Sequence, residues 1–288
     1  MSAAKARVTS ALRGVSRLYE VPTSTARVFP DFVIIGAERA GTTSLYRYLG
    51  RHPQVIPATL RRKGAHYFDT NFDKSSRWYR SHFATRLAMS TAVRRAGSRR
   101  VITGEACPYY FFHPLVPERM RALLPDVRLI LMLRDPVARA YSHYLHEVAR
   151  GFEQLSFEDA LDAESERLAG EEERIRAQPF HVSFAHQHFS YLARGHYAEQ
   201  LVRWQVAFPR DQLLIVDSGD FFADPDKGFR EVTRFLAIAE MSLPSYPQLN
   251  SRTDGHMSPA TADRLKAHFE EPNRRLEDLV GRSFSWTA

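Results

Sequence analysis

The sequence predicts an α/β fold, in which a central parallel sheet carries helices on both faces. Short and almost wholly apolar runs, such as 32–35 and 129–133, are typical of strands that are buried on both sides. Segments with helical spacing of apolar residues alternate with these runs, which is the order expected for a parallel sheet. At 288 residues the chain can bury one sizeable core.

The elements follow one another in regular alternation. We expect strands at 32–35, 101–104, 127–133 and 212–216, and a turn with a short strand within 52–57. We expect helices after residue 41 and at 75–83, 85–96, 114–124, 137–150, 156–178, 184–194, 197–208, 224–236 and 259–279. The charged stretch 156–178 is interpreted as a solvated insertion, with no chemistry assigned to it.

The composition is that of a soluble globular protein, with 44% apolar and 25% charged residues. We expect a single domain over 31–288, with a helical insertion around 156–194, and a basic N-terminal segment over 1–30 that is helical or mobile. One cysteine, Cys107, excludes an intramolecular disulfide framework and indicates a reducing compartment. No apolar run approaches the roughly 18–20 residues of a membrane span.

The net charge of +7 favours anionic ligands. Nucleic-acid binding is the weaker interpretation, because the sequence has no zinc-finger spacing, no evident helix-turn-helix and no basic stripe interleaved with aromatics. The histidines have no convincing metal-ligand spacing, so we predict no metal site.

A glycine loop joins the first strand to the first helix. Gly36 ends the strand, and Gly41 precedes the hydroxyl run 42–44 that leads into the helix. This geometry directs backbone N–H groups and the positive end of a helix dipole at one point, which favours an anion. The spacing is that of a P-loop, but Thr42 stands where an NTPase has lysine. The cationic residue of this loop is instead Arg39. The structural alternative to an anion site is an ordinary tight turn between strand and helix.

A second anion site is predicted where the most apolar strand ends. Arg134 follows that strand directly, and Ser142 lies two helical turns further on, with Arg139 nearby. A structural Arg134–Asp135 pair is the alternative. Since ligands of parallel sheets bind beyond the carboxyl ends of the strands, we expect this site, the glycine loop and Glu105 to share one crevice.

Together, segments 36–45 and 133–144 resemble the 5′-phosphosulfate loop and the 3′-phosphate motif of sulfotransferases that use 3′-phosphoadenosine 5′-phosphosulfate (PAPS). The resemblance spans nearly all of the chain after residue 30. It is strongest to the heparan-sulfate N- and 3-O-sulfotransferase branch, including its bacterial relatives. It implies a P-loop-like three-layer fold and sulfuryl transfer from PAPS to a hydroxyl or amine, with 3′-phosphoadenosine 5′-phosphate (PAP) as product.

The resemblance also assigns residues by position. It implies that the 5′-phosphosulfate is held by Arg39, Ala40, Gly41, Thr42, Thr43 and Ser44. It implies that Arg134 and Ser142 hold the 3′-phosphate. The last loop is similar to a segment that closes over the nucleotide, which makes Arg252 and His256 further candidates.

The chain departs from the family at 63–69, which resembles Lys-Glu-x-His-Phe-Phe-Asp. Gly64 occupies the position of the glutamate that serves as catalytic base. We therefore expect the proton acceptor elsewhere. His66 is the first candidate, because an unperturbed histidine titrates near ~6.5, and Glu105 is the second. The structural alternative for His66 is a histidine that packs or contacts the substrate. The alternative for Glu105 is a structural partner of an arginine or of backbone amides.

Three further predictions concern charge stabilisation, contact with the acceptor and the location of the protein. Arg39 is expected to stabilise negative charge on the leaving phosphate and the transferring group. Lys63, His66 and Tyr109 are candidates for contact with the acceptor, which is a carbohydrate, a glycolipid or a small metabolite. The expected location is the cytoplasm, where PAPS is made, with peripheral contact at the inner membrane face as an alternative. The sequence leaves the oligomeric state open.

Two other function classes remain at this stage. A P-loop kinase or NTPase is supported by the glycine spacing and by segment 213–217, which resembles a Walker-B strand, but Thr42 argues against it. A non-catalytic nucleotide-binding protein would retain the pocket and lack a base at Gly64.

Overall fold

The structure is a computed structural model that describes residues 22–58, 63–97, 100–249 and 257–287. Within these ranges, five parallel strands form one sheet in the order β2-β3-β1-β4-β5. The strands are β1 (Phe32–Gly36), β2 (Val55–Pro57), β3 (Ile102–Ala106), β4 (Arg128–Leu133) and β5 (Leu213–Asp217). The predicted α/β fold with a central parallel sheet is confirmed.

Helices lie around this sheet. In chain order they are α1 (Thr42–Leu49), α2 (Ser76–Arg80), α3 (Arg86–Ala96), α4 (Val116–Leu123), α5 (Pro136–Arg150), α6 (Phe157–Leu168), α7 (Glu171–Ala177), α8 (Phe184–His188), α9 (Tyr197–Ala207), α10 (Ser218–Ala223), α11 (Pro225–Phe235) and α12 (Pro259–Val280). None of the helices in the described residues is long and apolar enough to cross a bilayer.

The register of the central strands sets the position of the candidate site. Ile34 of β1 lies opposite Ala106 of β3 and Ile130 of β4, and the side chains of β1 are fully buried. Since all three strands run in the same direction, Gly36 and Arg134 emerge at one edge of the sheet. This is the arrangement that parallel pairing predicts.

The charged insertion differs from its prediction. The expected helix 156–178 is divided into α6 and α7 at Gly170, whose φ of +72° is a left-handed conformation that suits glycine. The expected helix 184–194 ends at His188. There the Arg194 guanidinium donates to the carbonyl oxygens of His186 and Gln187, which satisfies two acceptors at the helix end.

The insertion packs on α5 and α12 through a small apolar cluster of its own. Its fully buried members include Ala140 of α5, Ala160 of α6 and Phe269 of α12. This cluster holds α6 beside the carboxyl edge of the sheet, and α8 contacts both α6 and α7. Residues 1–21 of the predicted N-terminal segment lie outside the described residues, whereas Arg27 packs on the domain and donates a 2.7 Å hydrogen bond to the Phe83 carbonyl.

Candidate active site

The glycine loop leads directly into α1. Gly41 precedes the helix with a φ of +94°, a conformation that L side chains rarely adopt. A Cβ at this position would also lie 2.5 Å from the ring of Phe222, so the loop backbone passes close to that ring. The N–H of Ser44 donates to the Gly41 carbonyl at 2.9 Å, whereas the first N–H groups of any α-helix have no carbonyl one turn earlier, so the start of α1 at Thr42 favours an anion.

Lys63 supplies a cation at the start of α1. Its Nζ donates hydrogen bonds to the hydroxyl oxygens of Thr42 at 2.7 Å and Thr43 at 2.9 Å. Burial lowers the pKa of Lys63 to about 8, which leaves the ammonium largely charged at neutral pH. A lysine from a different chain segment thus occupies the neighbourhood in which a P-loop NTPase carries its own lysine.

The two predicted anion sites meet in the structure. The Nε of Arg39 donates to the Oγ of Ser142 at 3.0 Å. The guanidinium of Arg134 donates to the carbonyl oxygen of Arg39 at 3.2 Å. Segments that are about a hundred residues apart in sequence therefore contact each other directly, as the crevice prediction requires.

Arg134 is positioned by its neighbours in the chain. The Asp135 carboxylate accepts hydrogen bonds from the N–H groups of Val137 and Ala138, which caps α5, and Pro136 occupies the first helical position. The hydroxyl of Tyr197 donates to the Arg134 carbonyl at 2.9 Å. Asp135 therefore serves as a helix cap, and the predicted structural Arg134–Asp135 pair is replaced by this arrangement.

These groups line one cleft of about 930 Å³. That volume is at the upper end of the range for small-molecule sites and has room for a nucleotide and part of a second ligand. Of the predicted residues, the cleft lining includes Arg39, Ala40, Gly41, Thr42, Thr43, Lys63, His66, Tyr109, Arg134 and Ser142. Arg252 and His256 lie outside the described residues.

Two predicted site residues lie behind the cleft wall. The hydroxyl of Ser44 is buried and accepts a 2.9 Å hydrogen bond from the N–H of Leu249, and Ser44 is absent from the cleft lining, so its contact with the cofactor stays a prediction. Glu105 is fully buried, and its oxygens accept from the N–H of Ala65 at 2.7 Å and the hydroxyl of Tyr79 at 2.8 Å. Its position supports the structural alternative, a partner of backbone amides, over the catalytic one.

Arg139 is also absent from the cleft lining. It is fully buried, and its guanidinium donates to the Tyr191 carbonyl. Because α5 turns this side chain towards the insertion, Arg139 supports the fold beside the second anion site and contributes no cation to the cleft.

His66 lines the cleft and pairs with an acid. Its Nδ1 lies 2.9 Å from the Oδ2 of Asp69, which is completely buried. Burial alone would lower the pKa of His66, but the Asp69 carboxylate outweighs it and raises the pKa to about 9. His66 is therefore charged at neutral pH and accepts a proton only in alkaline solution.

The cleft contains residues that the sequence interpretation missed. His146 and Arg150 line it together with Ser142, and these three residues follow one another at intervals of four on α5. This helical spacing was the available signal, because residues four apart share a helix face. Burial and the nearby Arg39 lower the pKa of His146, so it is neutral at neutral pH.

Glu38 is the acidic member of the loop. Its carboxylate pairs with Arg194, and although burial would raise the pKa of Glu38, Arg194 lowers it overall. Oxygens of Glu38 and Glu147 and a nitrogen of His146 lie within 4.8 Å of one another, a grouping that could hold a metal ion. A metal ion there would compete with Arg194 for the Glu38 carboxylate. Nothing in this grouping tests the predicted absence of a metal site, which stays a prediction.

The glycine at position 64 is fixed by its surroundings. A Cβ there would lie 2.0 Å from the Sγ of Cys107 and 2.6 Å from the Ala106 carbonyl oxygen. No side chain fits without displacing buried neighbours, so this chain has no room for the glutamate of the resembling motif.

The kinase alternative loses its second support. Asp217, at the end of the Walker-B-like strand, accepts hydrogen bonds from the N–H groups of Gly219 and Ser285 at 2.7 and 2.6 Å. The Ser285 hydroxyl donates to it as well, at 2.8 Å. The carboxylate is buried and caps α10, which leaves it unsuited to hold a magnesium ion in the cleft.

Comparisons with known proteins agree with this geometry. A family model described as the sulfotransferase family matches residues 30–241. A solved sulfotransferase from Alicyclobacillus acidocaldarius is 31% identical and superposes with a TM-score of 0.63, covering 90% of this chain and 99% of its own.

Two curated relatives are more distant. The membrane-associated sulfotransferase kil1 of Dictyostelium discoideum is 25% identical over 89% of this chain and 66% of its own length. Heparan sulfate glucosamine 3-O-sulfotransferase 3B1 of Mus musculus is 27% identical over 91% of this chain and 66% of its own length. The chain thus spans just under two thirds of each of these relatives. Given the family match over most of its length, the chain belongs to the sulfotransferase family of enzymes.

Proposed function

We propose that this protein transfers a sulfuryl group from PAPS to a hydroxyl or amine of a carbohydrate, glycolipid or small-metabolite acceptor. The observation that carries the proposal is the contact between the two anion sites, in which Arg39 bonds Ser142 and Arg134 bonds Arg39. A ligand with phosphate groups at two ends matches a cleft whose cations come from two converging segments.

The first segment is suited to the 5′-phosphosulfate. The N-terminus of α1 directs N–H groups at the anion, and Lys63 holds the hydroxyls of Thr42 and Thr43 beside it. Arg39 adds a planar guanidinium that can bind two oxygens at once. Arg134 and Ser142 are the groups assigned to the 3′-phosphate.

The adenine is assigned to the part of the cleft that aromatic side chains line. Phe222 and Trp286 line it, together with Gly219 at the start of α10. Aromatic faces suit a purine ring. The buried Nε1–H of Trp286 has no hydrogen-bond partner among the described residues.

Catalysis in this arrangement is positioning and electrostatics. By analogy with phosphoryl transfer, the acceptor oxygen attacks in line with the leaving phosphate through a loose transition state. Lys63 and Arg39 are preorganised donors where negative charge develops on the leaving group. The charged His66, which lines the same cleft, adds a third cation at neutral pH.

A hydroxyl acceptor also needs a proton acceptor. We assign this role at neutral pH to His146, because it is neutral, lines the cleft and has a ring nitrogen within 4.8 Å of an oxygen of Glu38 in the glycine loop. His66 becomes able to accept a proton only as the pH rises through about 9. The cytoplasm remains the proposed location, with contact at the inner membrane face as the alternative.

Thermal-shift titration tests the donor. We expect PAP to raise the melting temperature and ATP with Mg²⁺ to have little effect, since the chain lacks the P-loop lysine and Asp217 is occupied. A shift with ATP–Mg²⁺ and none with PAP would refute the proposal. Transfer of labelled sulfate from PAPS to a panel of sugars and glycolipids then separates an enzyme from a non-catalytic PAP-binding protein.

A further inference from the structure

Exposed apolar side chains are concentrated beside one end of the cleft. Nine large hydrophobic residues are exposed in the described part of the chain, and six of them come from two short segments, 148–155 and 180–184. They are Val148, Phe152, Leu155, Phe180, Val182 and Phe184. Single exposed apolar residues need no explanation, but such a concentration is typical of a binding surface.

Aromatic contacts join the two segments to the cleft. The ring centroids of Phe152 and Phe184 lie 5.2 Å apart, and both rings pack on His188, at 4.8 and 4.4 Å. His188 itself lines the cleft. We call these three residues the aromatic lip. Arg150, another cleft residue, lies 4.3 Å from the centroid of the Phe152 ring.

The lip borders the acceptor end of the cleft. Phe222 and Trp286 are assigned to the adenine and Ser142 to the 3′-phosphate, whereas His146 and Arg150 follow Ser142 along α5, and His188 ends α8. A ligand that reaches from the proposed base His146 towards solvent on this side therefore passes over the lip.

The chemistry of the surface favours hydrocarbon over a sugar ring. Besides two phenyl rings, it exposes the aliphatic side chains of Val148, Leu155 and Val182, which have no hydrogen-bonding group for sugar hydroxyls. Phe152 and Phe184 are 37% and 49% exposed, and covering them with an apolar group is favourable.

We propose that the acceptor is an amphiphile, whose hydroxylated head enters the cleft and whose hydrocarbon or aromatic group lies on the aromatic lip. This inference rests on the proposed function. In the reaction, the bond from sulfur to the 5′-phosphate oxygen breaks as the bond from sulfur to the head-group oxygen forms. The hydroxyl proton passes to the base, and PAP leaves.

Calorimetric titration of the PAP-loaded protein tests the inference with two probes that share a head group. Octyl β-D-glucoside, kept below its micelle concentration, should bind at least about tenfold more tightly than methyl β-D-glucoside, since each fully buried methylene adds about fourfold. Phe184→Ser should lower the affinity for octyl glucoside at least about fivefold and leave the affinity for PAP unchanged. Val206→Ser is the matched control, because Val206 is 85% exposed and lies outside the cleft lining.

Equal affinities for the two glucosides would overturn the inference. An equal loss of octyl glucoside affinity in Phe184→Ser and Val206→Ser would overturn it as well. Sedimentation with phosphatidylcholine vesicles that depends on Phe184, without an octyl preference, would assign the surface to a membrane. A concentration-dependent dimer that Phe184→Ser abolishes would assign it to a second copy of the chain. Failure to bind PAP refutes the proposed function, whereas intact PAP binding without chain-length preference refutes this inference alone.

Discussion

Substitution of Gly64 by alanine should damage both stability and transfer. The new Cβ would lie 2.0 Å from the Sγ of Cys107, so about 1.5 Å of movement is needed to restore an ordinary contact. Cys107 is fully buried, and the Ala106 carbonyl oxygen, 2.6 Å away, belongs to a central strand. Overpacking of this kind costs about 1–3 kcal/mol, and we expect the upper half of that range.

At roughly 2–4 °C for each kcal/mol, the melting temperature of Gly64→Ala should fall by about 4–12 °C. Sulfate transfer should fall about 100-fold, because Lys63 and His66 flank the displaced backbone and a shift near 1 Å misplaces them. The assays are calorimetry and labelled-sulfate transfer. Unchanged melting temperature and activity would refute the packing argument.

A double variant isolates the sulfur contact. Cys107→Ala in the Gly64→Ala background removes the 2.0 Å contact and leaves the contact to the Ala106 oxygen. The double variant should therefore lose less unfolding free energy than the sum of the two single losses, by at least about 0.5 kcal/mol. Additive losses would contradict the assignment. Gly64→Glu should not raise activity, and a gain would mean that the cleft accepts the glutamate after all.

Three further predictions concern the titrating groups. The transfer rate should rise with pH through a pKa below 6.5 and then remain flat to about pH 8. His146→Asn should abolish this rise. A rise centred near pH 9 would instead assign the base to His66. Because Asp69 raises the pKa of His66 from 6.5 to about 9, the stability that this pair contributes is present below pH 6.5 and lost as the pH rises through about 9. The melting-temperature deficit of His66→Asn should shrink over that interval, and a constant deficit would contradict the pairing. Glu105→Gln should retain kcat within about threefold, whereas a loss of about 100-fold or more would place Glu105 in the chemistry.

The sheet was predictable because its strands are short apolar runs that alternate with helices. Phe32 to Ile35 are buried on both faces, as the uninterrupted apolar pattern predicts, and β4 ends at Leu133, directly before Arg134 and Asp135. Parallel pairing then fixes the edge at which the glycine loop and Arg134 meet. The convergence of the two anion sites followed from this rule and from the order of the motifs.

Side-chain direction was not predictable in the same way. Ser44 lies beside Thr43 in sequence, but its hydroxyl accepts from the N–H of Leu249, and Ser44 itself is absent from the cleft lining. Glu105 follows the period-two alternation of a strand, which turns it into a layer with Tyr79 and the Ala65 amide. These outcomes depend on partners that are distant in sequence.

The titration of the site depends on such partners as well. His66 was interpreted as an ordinary histidine, and the buried carboxylate of Asp69 makes it a cation. Conversely, His146 was passed over, although it follows Ser142 at a spacing that places both on one helix face. Burial cannot be inferred from either position alone, and burial decides which histidine is neutral.

The central claim is that Arg134 and Ser142 hold the 3′-phosphate of a nucleotide whose 5′ group lies at the glycine loop. Calorimetric titration with PAP and with AMP, which lacks the 3′-phosphate, tests it most directly, with Arg234→Ala as a control for net charge because Arg234 is exposed and outside the cleft lining. The protein should prefer PAP by about 10- to 100-fold, and Arg134→Ala should remove most of that preference while changing AMP affinity less than about threefold. Equal affinities in the unaltered protein, or a full preference for PAP in Arg134→Ala, would contradict the account.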